Sequence, residues 1–196
     1  MSQNVWENDD FIFKDDEIKG MTQKGKDKVK LQGFTDMIVP ATTPEGVPIK
    51  RIGDNAFYRR GLTSVVIPDT VESIGYDAFG VCKLTEVKLP PALTRIEGFA
   101  FYNNKLKTVA FGGKEKIIEP SAFALNELEK LDLPKSLELI DTSSFYKNAL
   151  TEVTIPSSVK KINMYAFRKN NIAQVTIPKT VDFVHQNAFE QNTEIK

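Results

Sequence analysis

The sequence predicts a solenoid in which short parallel β-strands stack coil upon coil, and three observations lead to that prediction. A 22-residue pattern recurs from Leu62 almost to the C-terminus, in six copies without a gap. Each copy carries apolar residues at the same positions, and a proline ends the first apolar segment in five of the six. Self-similarity at such a period is typical of repeat proteins, whose coils bury their apolar sides against their neighbours.

The coil at Leu150–Asn171 shows what each part of the repeat predicts. Apolar and polar residues alternate in LTEVTI, which favours a β-strand, and Pro156 ends that strand because it has no amide hydrogen for the ladder. Stacked coils would place about seven such strands in one parallel sheet. The chain then returns through Val159 and Ile162 to a segment around Phe167, which is predicted to form a short helical or 3₁₀ turn.

The repeat divides the chain into a cap, a long first repeat and six regular coils. Residues 1–33 do not repeat, and we predict that they form a small β cap over the apolar end of the solenoid at 34–193. The cap strands are expected at Asp10–Lys14, Glu17–Thr22 and Lys28–Leu31. The residues expected to face the first coil are Phe11, Phe13, Ile18, Leu31 and Trp6. The first repeat, 34–61, carries an insertion at Ala41–Gly46 that should form a loop. The regular coils span 62–83, 84–105, 106–127, 128–149, 150–171 and 172–193.

Two positions of the repeat predict ladders of stacked side chains. One position is phenylalanine throughout, at Phe57, Phe79, Phe101, Phe123, Phe145, Phe167 and Phe189. The third position after it is Cys82, Asn104, Asn126, Asn148, Asn170 and Asn192. Asparagine offers both a donor and an acceptor, so stacked asparagines would satisfy turn backbone groups that are otherwise unpaired.

The coil at 106–127 departs from the pattern. It has Gly112 in place of the proline and Glu115 in place of an apolar residue. The neighbouring Ile117 is predicted to compensate for the lost apolar contact. The departure is consistent with a local bend, or with a notch that binds a partner.

Composition excludes several classes of protein. The chain has 196 residues with 26 basic and 26 acidic side chains, and this balance argues against a nucleic-acid interface. No apolar run approaches the roughly 20 residues that a membrane-spanning helix needs. The N-terminal MSQNVWENDD lacks the basic and apolar segments of a signal peptide, so it is not expected to be one; either the protein is cytosolic or such a peptide has been removed.

No group of residues predicts catalysis, a metal or a cofactor. His185 is the only histidine and has no recurring partner, so it is expected to be a surface residue of the last coil. Cys82 is predicted to be a buried structural thiol. Asp15, Asp16 and Glu17 lack the spacing of a calcium loop and are expected to be a solvated turn. The protein is therefore predicted not to be an enzyme.

The repeat, LxxVxIPxxVxxIxxxAFxxNx, resembles that of the BspA-type leucine-rich-repeat family of bacterial surface proteins. The resemblance extends over about Phe34–Asn192, and the longer IVP…GVPIKRIGDNAF repeat at the start is similar to how these proteins often begin. It implies a curved leucine-rich-repeat solenoid and an extracellular or cell-surface location. It also implies adhesion to host, matrix or cell-surface proteins, although the scaffold is shared by members with different partners.

Two surfaces are candidates for binding a protein. The first consists of strand positions that point away from the core: Thr85, Glu86, Lys88, Lys107, Thr108, Glu129, Lys130, Asp132, Thr151, Glu152 and Thr154. The second is an edge just after the phenylalanine ladder, with Tyr58, Tyr102, Tyr146 and Arg168. These tyrosines are either anchors for a partner or packing residues along the coil edge.

The sequence thus predicts a non-enzymatic protein-binding or adhesion module, with a rigid spacer that displays another domain as the alternative. The last coil has no cap of its own in this sequence. Exposed apolar coil ends and strand edges favour association, so two copies of this chain are expected to be able to associate end to end.

Overall fold

The computed structural model describes residues 5–191 and 193–196, and there the chain forms a mostly β solenoid of about seven coils. Its elements are β1 (Phe11–Lys14), β2 (Glu17–Met21), α1 (Gln23–Gln32), β3 (Asp36–Ile38), β4 (Arg51–Ile52), β5 (Ser64–Val66), β6 (Ser73–Ile74), β7 (Glu86–Lys88), β8 (Arg95–Ile96), β9 (Thr108–Ala110), β10 (Ile117–Ile118), β11 (Leu139–Ile140), β12 (Lys161–Ile162), β13 (Gln174–Val175), β14 (Phe183–Val184) and β15 (Glu194–Ile195). The predicted fold, a parallel-sheet solenoid with 22-residue coils, is confirmed.

The longest sheet lies on a different side of the coil from the one predicted. It has nine strands in the order β1-β2-β4-β6-β8-β10-β11-β12-β14, and in the solenoid it takes one two-residue strand from each coil. From β4 onward, neighbouring strands pair in parallel one repeat apart, as Ile74 does with Ile96. We call this the long sheet.

The LxxVxI segments, which were predicted to form one continuous sheet, pair only two at a time. The pairs are β3 with β5, β7 with β9, and β13 with β15, and the segments of the coils at 128–149 and 150–171 are extended without regular strand pairing. Alternating apolar residues show which side chains are buried. They do not show whether neighbouring backbones come within hydrogen-bonding distance, and this is why the prediction was wrong here.

The Ala-Phe segment forms a stacked turn and not a helix. Two residues in each coil before the last, such as Asp77 and Val81, have left-handed φ values between 53° and 63°, which is uncommon outside glycine. Their amides compensate for this conformation by donating to the next coil, Asp77 N to Gly98 O at 3.0 Å and Val81 N to Tyr102 O at 2.8 Å. Backbone bonds between coils therefore run along this edge as well as along the long sheet.

The phenylalanines stack through the centre of the solenoid as predicted. Neighbouring ring centroids, from Phe57 through Phe189, lie between 5.2 and 5.6 Å apart. All seven rings are buried, and the apolar residues of the LxxVxI and xxVxxI segments pack around most of them. This stack forms the continuous core.

The asparagine ladder is also confirmed for the residues that the structure describes; Asn192 lies outside them. Asn126 Nδ2 donates to Phe101 O at 3.0 Å and to Phe123 O at 3.1 Å, and its Oδ1 accepts from Leu106 N at 3.1 Å. Asn104, Asn148 and Asn170 make the equivalent bonds. Each side chain thus ties its own turn to the preceding coil.

The cap is a hairpin followed by a helix, so the predicted strand at Lys28–Leu31 is wrong. Strands β1 and β2 pair antiparallel, and β2 continues into the long sheet beside β4. Helix α1 begins after Thr22, whose hydroxyl accepts from Gly25 N at 3.3 Å, and ends before Gly33, which has φ 72°. These two signals outweigh the short alternation in KVKL, which a helix accommodates as readily.

The predicted cap contacts are partly confirmed. Phe11 and Ile18 are buried, and Phe13 and Trp6 are half-buried against the core. Leu31 was predicted to face the first coil, but it is 73% exposed, because its position in α1 points it away from the solenoid.

The departure at 106–127 has a local explanation. Glu115 is fully buried, and its carboxylate accepts from the amides of Gly112 at 2.7 Å and Gly113 at 2.9 Å. A side chain at Gly112 would place Cβ 2.1 Å from Pro90 O, so only glycine fits. Ile117 does not compensate as predicted, because it is 39% exposed.

Replacement of a central ring should be strongly destabilising. We expect Phe123→Ala to lower the free energy of unfolding by about 3–5 kcal/mol, since it leaves a cavity between two stacked rings. Chemical denaturation followed by circular dichroism measures the loss. Leu31→Ala, on an exposed helix face, is the control and should change little; equal midpoints for the two variants would contradict the central position of the ring.

The asparagine ladder gives a second prediction. Asn126→Ala should cost roughly 1–3 kcal/mol, because the buried amide of Leu106 loses its acceptor. Asn171→Ala, which changes an exposed asparagine two coils further along the chain, is the matched control. If both variants unfold at the same denaturant concentration, the ladder does not stabilise the coils.

Candidate functional site

The first candidate surface, which we call the strand face, is solvent-exposed at all eleven predicted positions. These are Thr85, Glu86, Lys88, Lys107, Thr108, Glu129, Lys130, Asp132, Thr151, Glu152 and Thr154. Buried residues, among them Val87 and Val109, alternate with them along the chain and face the core. The alternation of an extended chain is therefore what directs the eleven side chains outward.

The charged residues of the strand face are not neutralised by one another. Among the residues that the structure describes, none of its seven charged side chains takes part in a salt bridge. They are Glu86, Lys88, Lys107, Glu129, Lys130, Asp132 and Glu152. Their hydrogen-bonding groups are thus open to water or to a partner.

Beside the long sheet, in contrast, charged side chains form salt bridges with one another. Arg51 lies 3.3 Å from Glu17 and 2.6 Å from Glu97, which come from the hairpin and from a later coil. Arg95 contacts Glu119 at 2.7 Å. The guanidinium–carboxylate bond to Glu97 raises the pKa of Arg51 above its ordinary value. Charged side chains from different coils are therefore paired beside the first strands of this sheet.

A shallow groove crosses the strand face between β5, β7 and β9. Its volume is about 520 Å³. The predicted Glu86, Lys88 and Thr108 line it, together with Val66 and Ala110, which were not predicted as site residues. Val66 is 60% exposed. The sequence indicated this exposure, because Val66 occupies the same position in its coil as Lys88 does in the next coil.

The second candidate surface, the tyrosine edge, is only partly assembled. Tyr58, Tyr102, Tyr146 and Arg168 are all half-buried. Tyr146 and Arg168 meet around a depression of about 300 Å³ that also involves Tyr165, and the Arg168 guanidinium lies 5.0 Å from the centre of the Tyr165 ring. Sequence reasoning missed Tyr165, which stands just before the Ala-Phe pair at a position that varies between coils.

The remaining tyrosines of this edge lie against other residues. Tyr102 packs on Phe99 with ring centroids 5.2 Å apart, and the guanidinium of Arg59 lies 5.1 Å from the centre of the Tyr58 ring. The edge therefore carries separate aromatic contacts, and its C-terminal part forms the depression around Tyr146 and Arg168.

The two residues considered as catalytic groups, His185 and Cys82, both hydrogen-bond to the backbone. His185 is half-buried, and its Nδ1 accepts from Asn187 N at 3.0 Å. Cys82 is buried as predicted, and its thiol donates to Phe57 O at 3.2 Å. Burial raises the pKa of this thiol above its ordinary value, which disfavours the nucleophilic thiolate.

The acidic residues of the cap are arranged differently from the prediction. Asp15 and Asp16 are exposed in the hairpin turn, while Glu17 binds Lys19 and Arg51. A second group, Glu7, Asp9 and Asp10, brings its carboxylates together. The ammonium groups of Lys24 and Lys28 bond to all three of these carboxylates. This second group therefore fastens α1 to the N-terminal segment that precedes the hairpin, where Asn8–Asp10 form a 3₁₀ turn.

Comparison with known families identifies the repeat. The family described as BspA type leucine rich repeat region matches in six copies, over residues 50–172 and 116–196. Together these ranges cover about three quarters of the chain, so the chain belongs to this family. Proteins of the family are generally non-enzymatic repeat scaffolds. A search of curated protein sequences finds no significant match.

Solved structures of bacterial leucine-rich-repeat proteins share the fold. One from Bacteroides ovatus is 22% identical with a TM-score of 0.59, and the match covers 77% of this chain and 45% of that one. One from T. pallidum is 27% identical with a TM-score of 0.52, covering 83% and 63%. A leucine rich cell surface protein from Faecalibacterium prausnitzii is 21% identical with a TM-score of 0.55, covering 100% and 70%.

The chain thus spans less than half of the first of these proteins and about two thirds of the other two. In the part of the chain described, no helix has the length and apolar character needed to cross a membrane.

The state of Cys82 can be tested directly. We expect iodoacetamide to alkylate the folded protein at least about tenfold more slowly than the protein in denaturant, because the thiol is buried and its pKa is raised. Mass spectrometry of timed samples measures the rates. Equal rates would show that the thiol is accessible in the folded protein.

Proposed function

We propose that this protein is a protein-interaction module that binds its partner through the strand face, and that it acts in adhesion at a bacterial cell surface. The general role in protein interaction is supported by the family and by the shared solenoid fold. The location is supported by the neighbour that is described as a leucine rich cell surface protein.

The unpaired charges of the strand face are the observation that supports this site best. Charged side chains beside the first strands of the long sheet bond to one another, whereas Glu129, Lys130 and Glu152 have no such partner among the described residues. An interface with complementary charges gains specificity and a faster association rate from groups of this kind. The threonines between them add hydrogen-bonding groups with few rotamers to immobilise.

The groove beside β7 supplies apolar contact within the same surface. Val66 and Ala110 are exposed there on either side of Lys88, and a partner side chain that covers them removes apolar area from water. A protein interface usually combines such apolar contact with polar groups.

A binding assay with two matched variants tests this proposal. The strand-face variant combines Glu86→Ala, Glu129→Ala, Lys130→Ala and Glu152→Ala. The control variant combines Glu72→Ala, Lys116→Ala, Glu119→Ala and Glu138→Ala beside the long sheet, and removes the same numbers of acidic and basic groups. Surface plasmon resonance against a panel of purified host matrix proteins measures binding by both variants and the wild type.

We expect the strand-face variant to bind at least about tenfold more weakly than the wild type, and the control variant to retain its affinity. Unchanged binding by the strand-face variant would contradict the proposed site. A loss with Tyr146→Ala and Arg168→Ala instead would place the interface at the tyrosine edge. Absence of binding to every protein in the panel would favour the alternative function, a rigid spacer.

A further inference from the structure

A pocket between α1 and the turn at Arg59–Gly61 concentrates positive charge in a chain whose total charge is balanced. Its volume is about 420 Å³. Lys26, Asp27 and Lys30 line it from the helix, and Arg59 and Arg60 line it from the first repeat. Four basic side chains therefore meet one carboxylate here, whereas the whole chain has 26 basic and 26 acidic residues.

The two sides of α1 differ in how their charges are paired. Lys24 and Lys28 bond to the carboxylates of Glu7, Asp9 and Asp10, on the side that faces the N-terminal segment. No salt bridge to the pocket's four basic residues occurs among the described residues. The helix thus has a neutralised side and a side with unpaired cations.

The acidic groups near the pocket leave this excess of positive charge in place. The carboxylate of Asp27 accepts a hydrogen bond from Gln23 Nε2 at 2.7 Å. Burial raises the pKa of the Asp77 carboxyl, and the nearby charge of Arg59 opposes that rise, but the two groups form no ion pair.

Arg60 occupies the ladder position of the first repeat, where the later coils have cysteine or asparagine. In those coils the side chain turns inward and bonds to phenylalanine carbonyls, as Asn104 does to Phe79 O at 2.9 Å. The Nε of Arg60 is enclosed but has no hydrogen-bond partner among the described residues. No hydrogen bond from its terminal Nη1 and Nη2 groups occurs among the described residues, so these donors are open to an acceptor oxygen in the pocket.

We propose that this pocket binds a small molecule that carries a tetrahedral oxyanion, as a phosphate or sulfate ester, with Arg60 as the central donor. A guanidinium group offers paired N–H donors that match the oxygens of such an anion. Lys26, Lys30 and Arg59 supply further positive charge around it. The site is separate in its residues from the strand face and does not depend on the proposed interaction there.

The size of the pocket indicates that the oxyanion is part of a larger ligand. Its volume lies within the roughly 300–1,000 Å³ that is usual for small-molecule sites, and a bare oxyanion would fill only part of it. A phosphate monoester carries about −1.5 to −2 charges at neutral pH, so it balances the excess of cations better than a single carboxylate does.

The test is a titration of the full ¹⁵N-labelled chain at low ionic strength, followed by NMR. The probes are inorganic phosphate, inorganic sulfate, a hexose phosphate, a hexose sulfate and the neutral hexose. We expect saturable shifts of the Arg60 and Gly61 amides and of amides in α1, with the hexose phosphate or the hexose sulfate binding more tightly than its inorganic ion. The comparison of the two esters identifies the oxyanion.

Two variants and a control complete the test. Arg60→Gln should weaken binding about ten- to a hundredfold, because a charge-assisted hydrogen bond is lost. The variant that combines Lys26→Gln and Lys30→Gln, both on the surface of α1, should also weaken binding. This variant tests the proposal if Arg60→Gln fails to fold. Lys114→Gln, an exposed lysine outside the pocket, is the matched control and should leave affinity unchanged.

Three results would overturn the proposal. The first is a set of shifts that do not saturate or that spread over surface lysines throughout the chain. The second is an ester that binds no more tightly than the neutral hexose. The third is equal affinity in the Lys114→Gln variant and in whichever pocket variant folds.

Discussion

The bond between an asparagine amide and the carbonyls of two successive coils is the interaction on which the rest of the structure depends. Phe101 O accepts from Asn104 in its own coil at 3.1 Å and from Asn126 in the next coil at 3.0 Å. The turn that contains the phenylalanine leaves these carbonyls inside the solenoid, where water cannot reach them. The asparagines satisfy them, and so the phenylalanine rings can stack without leaving polar groups unpaired.

This constraint also determines where the solenoid is regular. The backbones are held in register along the stacked turn and the long sheet, with bonds such as Phe101 N to Ala122 O at 2.8 Å. The LxxVxI side lies away from that edge, and there strands pair only two at a time. The groove on the strand face lies beside these interrupted pairs, so the least regular side of the coil is the one that carries the proposed interface.

Both proposed sites arise where the repeat leaves side chains without a structural task. On the strand face the repeat prescribes only the buried positions, and the exposed ones vary in charge from coil to coil. In the first repeat Arg60 replaces the ladder residue, beside a helix that the repeat does not contain. The solenoid stays intact in both places because the coils on either side supply its core and its hydrogen bonds.

The sequence by itself determined the coil length, the buried positions, the phenylalanine stack and the asparagine ladder, because each is a local pattern repeated until only one arrangement satisfies it. It also predicted the exposure of the eleven strand-face residues, since exposure follows from alternation along an extended chain. Only the tertiary structure decided which side of the coil carries the continuous sheet, because backbone distances between coils leave no trace in the residue pattern. Only the tertiary structure likewise showed that the buried Glu115 binds Gly112 and Gly113, and that α1 forms a cluster of cations with Arg59 and Arg60. Such contacts join residues that follow no shared period, so they exist only once the chain has folded.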